Sequence, residues 1–106
     1  MSNQVEPPLT ETVFYILLAV KTPLHGYGII QEVEKLTDNR ISLGPGTLYG
    51  AIKSLLNKGL IELVHEDQRK KEYQLTGEGL DVLKQEVGRL EELLRNGKRI
   101  LGGEER

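Results

Sequence analysis

Seven positions near the C-terminus, Leu80, Leu83, Val87, Leu90, Leu94, Gly97 and Leu101, are spaced 3, 4, 3, 4, 3 and 4 residues apart. That rhythm is an a/d seam, broken by one glycine, on a long amphipathic helix. Burying a stripe of this length against its own domain would need a larger core than a chain of 106 residues supplies. The spacing therefore predicts a C-terminal helix over 76–101 that pairs with a second copy of the chain, followed by a frayed tail at 102–106. A helix packing its whole stripe on its own domain is the plainer alternative.

Upstream, apolar periodicity predicts three short helices. Thr10 is placed to cap the first, which runs through Val20. Its apolar residues Val13, Phe14, Leu17 and Leu18, with Ile16 and Val20 beside them, make it apolar nearly all round. A helix of that kind is buried on more than one side, so one side is expected to meet a partner chain. Pro23 and Gly26 break the chain, with His25 at the start of the next helix. A second helix is expected from about Gly26 to Leu36, with Tyr27, Ile30, Val33 and Leu36 as its apolar positions. Gly44, Pro45 and Gly46 then punctuate the chain, and proline is well tolerated in a first helical turn. A third helix should run from Pro45 to Lys58 on a stripe of Leu48, Ile52, Leu55 and Leu56, ending at Gly59.

Residues 61–66 and 71–75 alternate apolar and polar side chains around a polar turn, which reads as a β-hairpin. A lone hairpin is marginal in water, and Ile41 to Leu43 is the natural third strand. Thr76 can cap the last helix, although Gly77 and Gly79 weaken its first turn. Residues 1–9 read as a loose arm without the basic and apolar regions of a secretory leader. The longest apolar run, Val13 to Val20, is far shorter than the roughly 20 residues needed to cross a bilayer. A cytoplasmic protein without membrane contact is expected.

The order helix, helix, helix, hairpin, helix predicts an α+β fold, mainly α. It is a winged helix-turn-helix over 10–75 followed by a dimerisation helix. The net charge of −2 argues against nucleic acid only when taken whole. Residues 1–39 carry a net charge of −3, residues 40–75 a net +2, and residues 76–106 a net −1. The positive part coincides with the third helix and the hairpin. The outer face of that helix offers Thr47, Gly50, Lys53, Ser54 and Asn57, with Gly46 at its N-terminus, Tyr49 at the edge of the apolar stripe and Ser42 just upstream. Small side chains let a helix approach base edges in a major groove. Arg69, Lys70 and Lys71 at the hairpin tip would neutralise phosphates or enter a minor groove. Taken singly, each pattern also fits a plain solvated surface; together, at this spacing, they are more specific. Tyr73 shares a strand face with Leu75 and is expected in the core.

Enzymatic chemistry finds no support. The chain has no cysteine, and two histidines, His25 and His65, cannot supply a three-histidine metal site. No nucleophile–base pair or phosphate loop is visible, and no cofactor is expected. The competing reading is a winged-helix module that binds protein and not DNA.

Four segments together resemble the PadR family of bacterial transcriptional regulators. They are His25-Gly26-Tyr27, Pro45-Gly46-Thr47-Leu48-Tyr49, Lys58-Gly59-Leu60-Ile61 and Tyr73-Gln74-Leu75-Thr76, in that order within residues 9–95. The resemblance implies a homodimeric repressor that binds a pseudo-palindromic double-stranded DNA operator. It implies a dimer made by the last helix with help from the first, through Phe14, Leu17, Leu80, Leu83, Val87, Leu90, Leu94 and Leu101. A single helix after the wing is similar to the smaller members of the family. Some of these bind flat hydrophobic molecules between protomers, flanked by tryptophans. This chain has no tryptophan, which leaves Phe14 and Tyr15 as the aromatic groups for a small hydrophobic effector.

Overall fold

The structure is a computed structural model that describes residues 8–102. Its elements are α1 (Glu11–Ala19), β1 (Leu24–His25), α2 (Gly26–Leu36), α3 (Pro45–Asn57), β2 (Ile61–Glu66), β3 (Lys71–Leu75) and α4 (Gly77–Gly97). A single π-helical turn, Lys98–Gly102, closes the described chain. This is the winged helix-turn-helix with a long last helix that the periodicity predicts.

Each helix start has a local cause. Thr10 accepts the Val13 N–H at 3.1 Å. His25 accepts the Gly28 N–H through Nδ1 at 3.3 Å. α3 has Gly44 as its N-cap with no side-chain bond, and Pro45 supplies the first turn. Its end is a Schellman motif: the Gly59 N–H donates to the Leu56 carbonyl and the Leu60 N–H to the Leu55 carbonyl, both at 3.0 Å. The reversal puts Gly59 at φ +75°, where glycine alone is unstrained.

Thr76 joins this reversal to α4. Its hydroxyl donates to the Gly59 carbonyl at 2.7 Å and accepts the Gly79 N–H at 3.0 Å. Gly79 is buried against the Leu60 carbonyl, so its lack of a side chain is a packing requirement and not simply a weak helical turn.

The core gathers Ile16, Leu17 and Ala19 from α1 with Val20 at its C-cap, Ile29 and Val33 from α2, and Leu48, Ile52 and Leu55 from α3. Ile61 and Tyr73 from the hairpin and Leu83 from α4 complete it, with Leu43 from the loop before α3. Most of this follows the predicted stripes, with four corrections.

The third strand is not Ile41–Leu43. It is β1, which pairs antiparallel with β3 (Leu24 opposite Tyr73, His25 opposite Glu72), giving the sheet order β1-β3-β2. Residues 41–43 are held by other means: the Ile41 N–H donates to the Thr37 hydroxyl at 3.1 Å and Leu43 is buried. On α2 the buried positions are Gly26, Gly28, Ile29 and Val33, while Tyr27 and Leu36 face outward. On α3, Leu56 lies outside the buried set. Finally, Leu17 and Leu83, expected to face a partner chain, are buried in the core of their own protomer.

Part of the expected arm, residues 1–7, and the end of the tail, residues 103–106, lie outside the described residues. Leu9, placed in the arm by its sequence, packs against the core. The Leu9 N–H donates to Glu86 Oε2 at 3.2 Å. Glu86 is buried, and it also takes both arms of the Arg89 guanidinium, Nε at 2.8 Å and Nη2 at 2.7 Å. The Arg89 bonds are the chief cause holding its carboxyl below the usual glutamate value of 4.5. A lowered folded value means this stability is fully present above about pH 4.5 and is lost as the pH falls through the folded value. Replacing Glu86 by Gln should therefore flatten the acid limb of a stability-versus-pH curve. An unchanged limb in chemical denaturation would place the acid sensitivity elsewhere.

Past Glu86, no residue of α4 is buried. The helix projects from the head, and the radius of gyration of 15.8 Å exceeds the roughly 13 Å of a compact chain of 100 residues. Among the described residues, no helix is long and apolar enough to cross a membrane.

Candidate nucleic-acid interface

α3 turns Leu48, Ile52 and Leu55 into the core, and the helical repeat turns the opposite side outward. That outer side carries Gly46, Thr47, Gly50, Lys53 and Ser54, all exposed. A methyl group built on Gly44, Gly46 or Gly50 would meet nothing within 4 Å. The glycines thus leave a shallow surface whose backbone a ligand can approach closely. Lys53 joins no ion pair among the described residues.

The wing is ordered by Asp67. Its Oδ1 accepts the backbone N–H groups of Arg69 and Lys70, each at 2.9 Å, and its own N–H donates to the Lys70 carbonyl at 2.9 Å. The Arg69 bond is the foremost cause lowering the Asp67 carboxyl below its ordinary value. His65 Nε2 lies 3.7 Å from the other carboxylate oxygen. The turn's acid is spent on its backbone, while the side chains of Arg69, Lys70 and Lys71 stay exposed and outside any ion pair among the described residues.

Tyr49, Arg69, Lys70 and Lys71, distant in sequence, come together on an open cleft of about 380 Å³. The start of α2 forms its other wall, with His25, Gly26 and Tyr27. The Tyr49 ring lies across Gly26: a Cβ there would sit 2.2 Å from its hydroxyl oxygen. Tyr73 closes the floor, buried as expected, and burial is the main cause raising its phenol above the ordinary value.

Ser42, Thr47, Gly50, Lys53 and Ser54 do not line this cleft. Ser42 is exposed, but its hydroxyl donates to Glu34 Oε2 at 3.0 Å, which places a carboxylate beside it. Arg40, counted in the positive segment, is paired with Glu11 at the start of α1.

The residue that periodicity missed is Tyr27. Its three-residue step to Ile30 reads as core, yet it is 65% exposed at the mouth of the cleft. The signal was the glycine on either side of it: buried Gly26 and Gly28 mark the packed side of the turn, and Tyr27 points away. Phe14 and Tyr15 are half-buried and pack edge to face, with ring centroids 5.7 Å apart and planes at 77°.

Comparisons with known proteins agree with this architecture. The profile of the transcriptional regulator PadR-like family matches residues 15–85. The transcriptional regulator YqjI of Escherichia coli (strain K12) is 31% identical over 74 residues, covering 67% of this chain and 36% of that protein. The chain spans between 18% and 36% of the length of the curated relatives it matches. Among solved structures, a PadR family transcriptional regulator from Eggerthella lenta DSM 2243 is 26% identical with a TM-score of 0.69. The match covers 84% of this chain and 80% of that one. RosR of H. salinarum is also 26% identical, with a TM-score of 0.68 over 90% of this chain and 98% of that one.

Proposed function

The chain belongs to the transcriptional regulator PadR-like family, and from that premise we propose that it regulates transcription by binding double-stranded DNA as a homodimer, acting as a repressor. The observation that carries this reading is the pairing of two surfaces: the acid-free, open outer face of α3 and the exposed cations of the wing, which join no ion pair among the described residues. The α3 face is the groove reader, through Gly46, Thr47, Gly50, Lys53 and Ser54. Tyr49, Arg69, Lys70 and Lys71 hold phosphates at its flank, with Ser42 at the edge. Two such heads related by a two-fold axis suit a pseudo-palindromic operator with half-sites about 34 Å apart.

The dimer forms along α4. Val87, Leu90, Leu94 and Leu101 carry 39–66% of their surface to solvent in the single chain, and Leu80 and Phe14 are half-buried. A run of large apolar side chains this exposed calls for cover. A small hydrophobic effector bound between protomers beside Phe14 and Tyr15 would shift the separation of the two heads and release DNA.

The test begins with the genomic fragments that the purified protein retains. On such a fragment, Arg69→Ala with Lys70→Ala removes two phosphate-holding cations per protomer, four per dimer. The plot of log affinity against log salt should become shallower by about 3.6, at about 0.9 per phosphate contact. An unchanged slope would remove these residues from the interface.

Gly50→Ala separates reading from folding. Ala stabilises an exposed helix interior by about 1 kcal/mol over Gly, and the new methyl meets nothing in the protomer. The variant should melt higher and yet bind operator more weakly, because the methyl occupies space the groove needs. Equal or tighter binding would turn this face of α3 away from the DNA.

A further inference from the structure

We propose that Glu86 is a joint, a positioning residue that fixes the angle at which each reading head sits on the dimerisation helix. The inference rests on the dimer reading above. It starts from location. Glu86 is the last buried residue of α4, at the point where the helix leaves the head. α1 is built into the head's core through Ile16, Leu17 and Ala19, and the chain entering α1 passes Glu86 at Leu9. The carboxylate therefore ties the entry of one element to the exit of another.

Its chemistry is suited to direction more than to stability. A buried carboxylate loses its hydration, and replacing a buried ion pair with a well-packed apolar residue is often neutral or stabilising. Position 86 continues the buried stripe of Gly79, Val82 and Leu83, so an apolar side chain such as leucine suits its direction. What a leucine lacks is geometry. The Arg89 fork is bidentate, at 2.8 and 2.7 Å, and the Leu9 N–H takes one remaining lone pair at 3.2 Å. Bidentate charge-assisted bonds fix orientation as well as distance. Arg89 lies one turn further along the same helix, so the fork fixes the rotamer of the Glu86 carboxylate within α4, and the Leu9 N–H bond is the link that crosses to the start of α1.

In a dimer, the angle at this joint sets the separation of the two α3 helices. A small rotation there is carried outward by the length of the head. Packing alone would leave the head free to rock about the exit, and the two heads would sample a range of separations.

The chain has no cysteine, so a single introduced thiol is labelled cleanly. Gln31 is exposed on α2 with no side-chain hydrogen bond among the described residues. Gln31→Cys carrying a nitroxide reports the head-to-head distance of the dimer by dipolar electron spin resonance, without DNA. The parent should give one narrow distribution. Adding Glu86→Leu, or independently Arg89→Gln, should widen the distribution or shift its mean by several ångströms, while helical content and sedimentation stay those of a folded dimer.

A distribution identical to the parent's in both variants overturns the joint while leaving the dimer intact. A variant that only melts lower with its distances unchanged overturns it as well, since that is what a purely stabilising pair would do. A parent that sediments as a monomer and shows no dipolar coupling overturns the dimer reading, and the joint falls with it.

Discussion

Leu90→Glu combined with Leu94→Glu should yield a folded monomer. In the single chain these side chains are 39% and 59% exposed, so each glutamate stays hydrated and the head is undisturbed. In the proposed dimer the same positions are buried, and four carboxylates from two protomers would be brought together without partners. An uncompensated buried charge costs several kcal/mol. Even one such cost, at about 3 kcal/mol or more, weakens dimerisation by at least about a hundredfold, at 1.4 kcal/mol per tenfold. Sedimentation should report the monomer mass, circular dichroism should keep the helical signal, and DNA retention should collapse because one head alone makes half the contacts. A double variant that sediments as an intact dimer would remove this part of α4 from the interface.

Gly79→Ala should cost stability where Gly50→Ala adds it. The intrinsic helical preference is the same at both sites, about 1 kcal/mol in favour of alanine. The surroundings decide the sign. At Gly79 the new Cβ would lie 2.1 Å from the Leu60 carbonyl oxygen and 2.7 Å from Leu75 Cδ1. The obstacle is backbone from the α3–β2 connection, pinned by the Thr76 bonds to Gly59 and Gly79. Either the connection moves or α4 lifts away from its seat. Overpacking of this kind costs about 1–3 kcal/mol, and more where backbone must shift. Chemical denaturation should show a lower midpoint at an unchanged slope. A midpoint equal to or above the parent's would mean that α4 does not sit against Leu60 as described.

Much of this architecture was legible because its signals are local and periodic. The α3 stripe, the alternation of the hairpin and the Gly59 stop each depend on neighbours within a few residues. The charge split did as well: a chain of net −2 still holds a positive segment over 40–75. What escaped has a common cause. β1 is two residues long, too short to display alternation, and it forms only because β3 offers it an open edge. Tyr27 obeys a step of three that fits either face of a helix until Gly26 is seen packed beneath Tyr49. Ser42 looks free in sequence and is bonded to Glu34 eight residues away. Arg40 is likewise drawn off to Glu11, across 29 residues.

Glu86 shows the boundary most sharply. In the sequence it is one polar residue among many on a helix of alternating charge, and nothing distinguishes it from Glu91 or Glu92. In the fold it is buried and holds two segments together, because the start of α1 and the exit of α4 meet only when the core closes. The residue pattern sufficed for the four helices, the hairpin, their order and most of their inward faces, since hydrophobic periodicity acts along the chain. Which polar groups are free to meet a ligand, which are consumed, and which glycines tolerate a methyl depended on contacts between residues far apart in sequence. Those contacts come into being with the packing, and so they were settled by the fold.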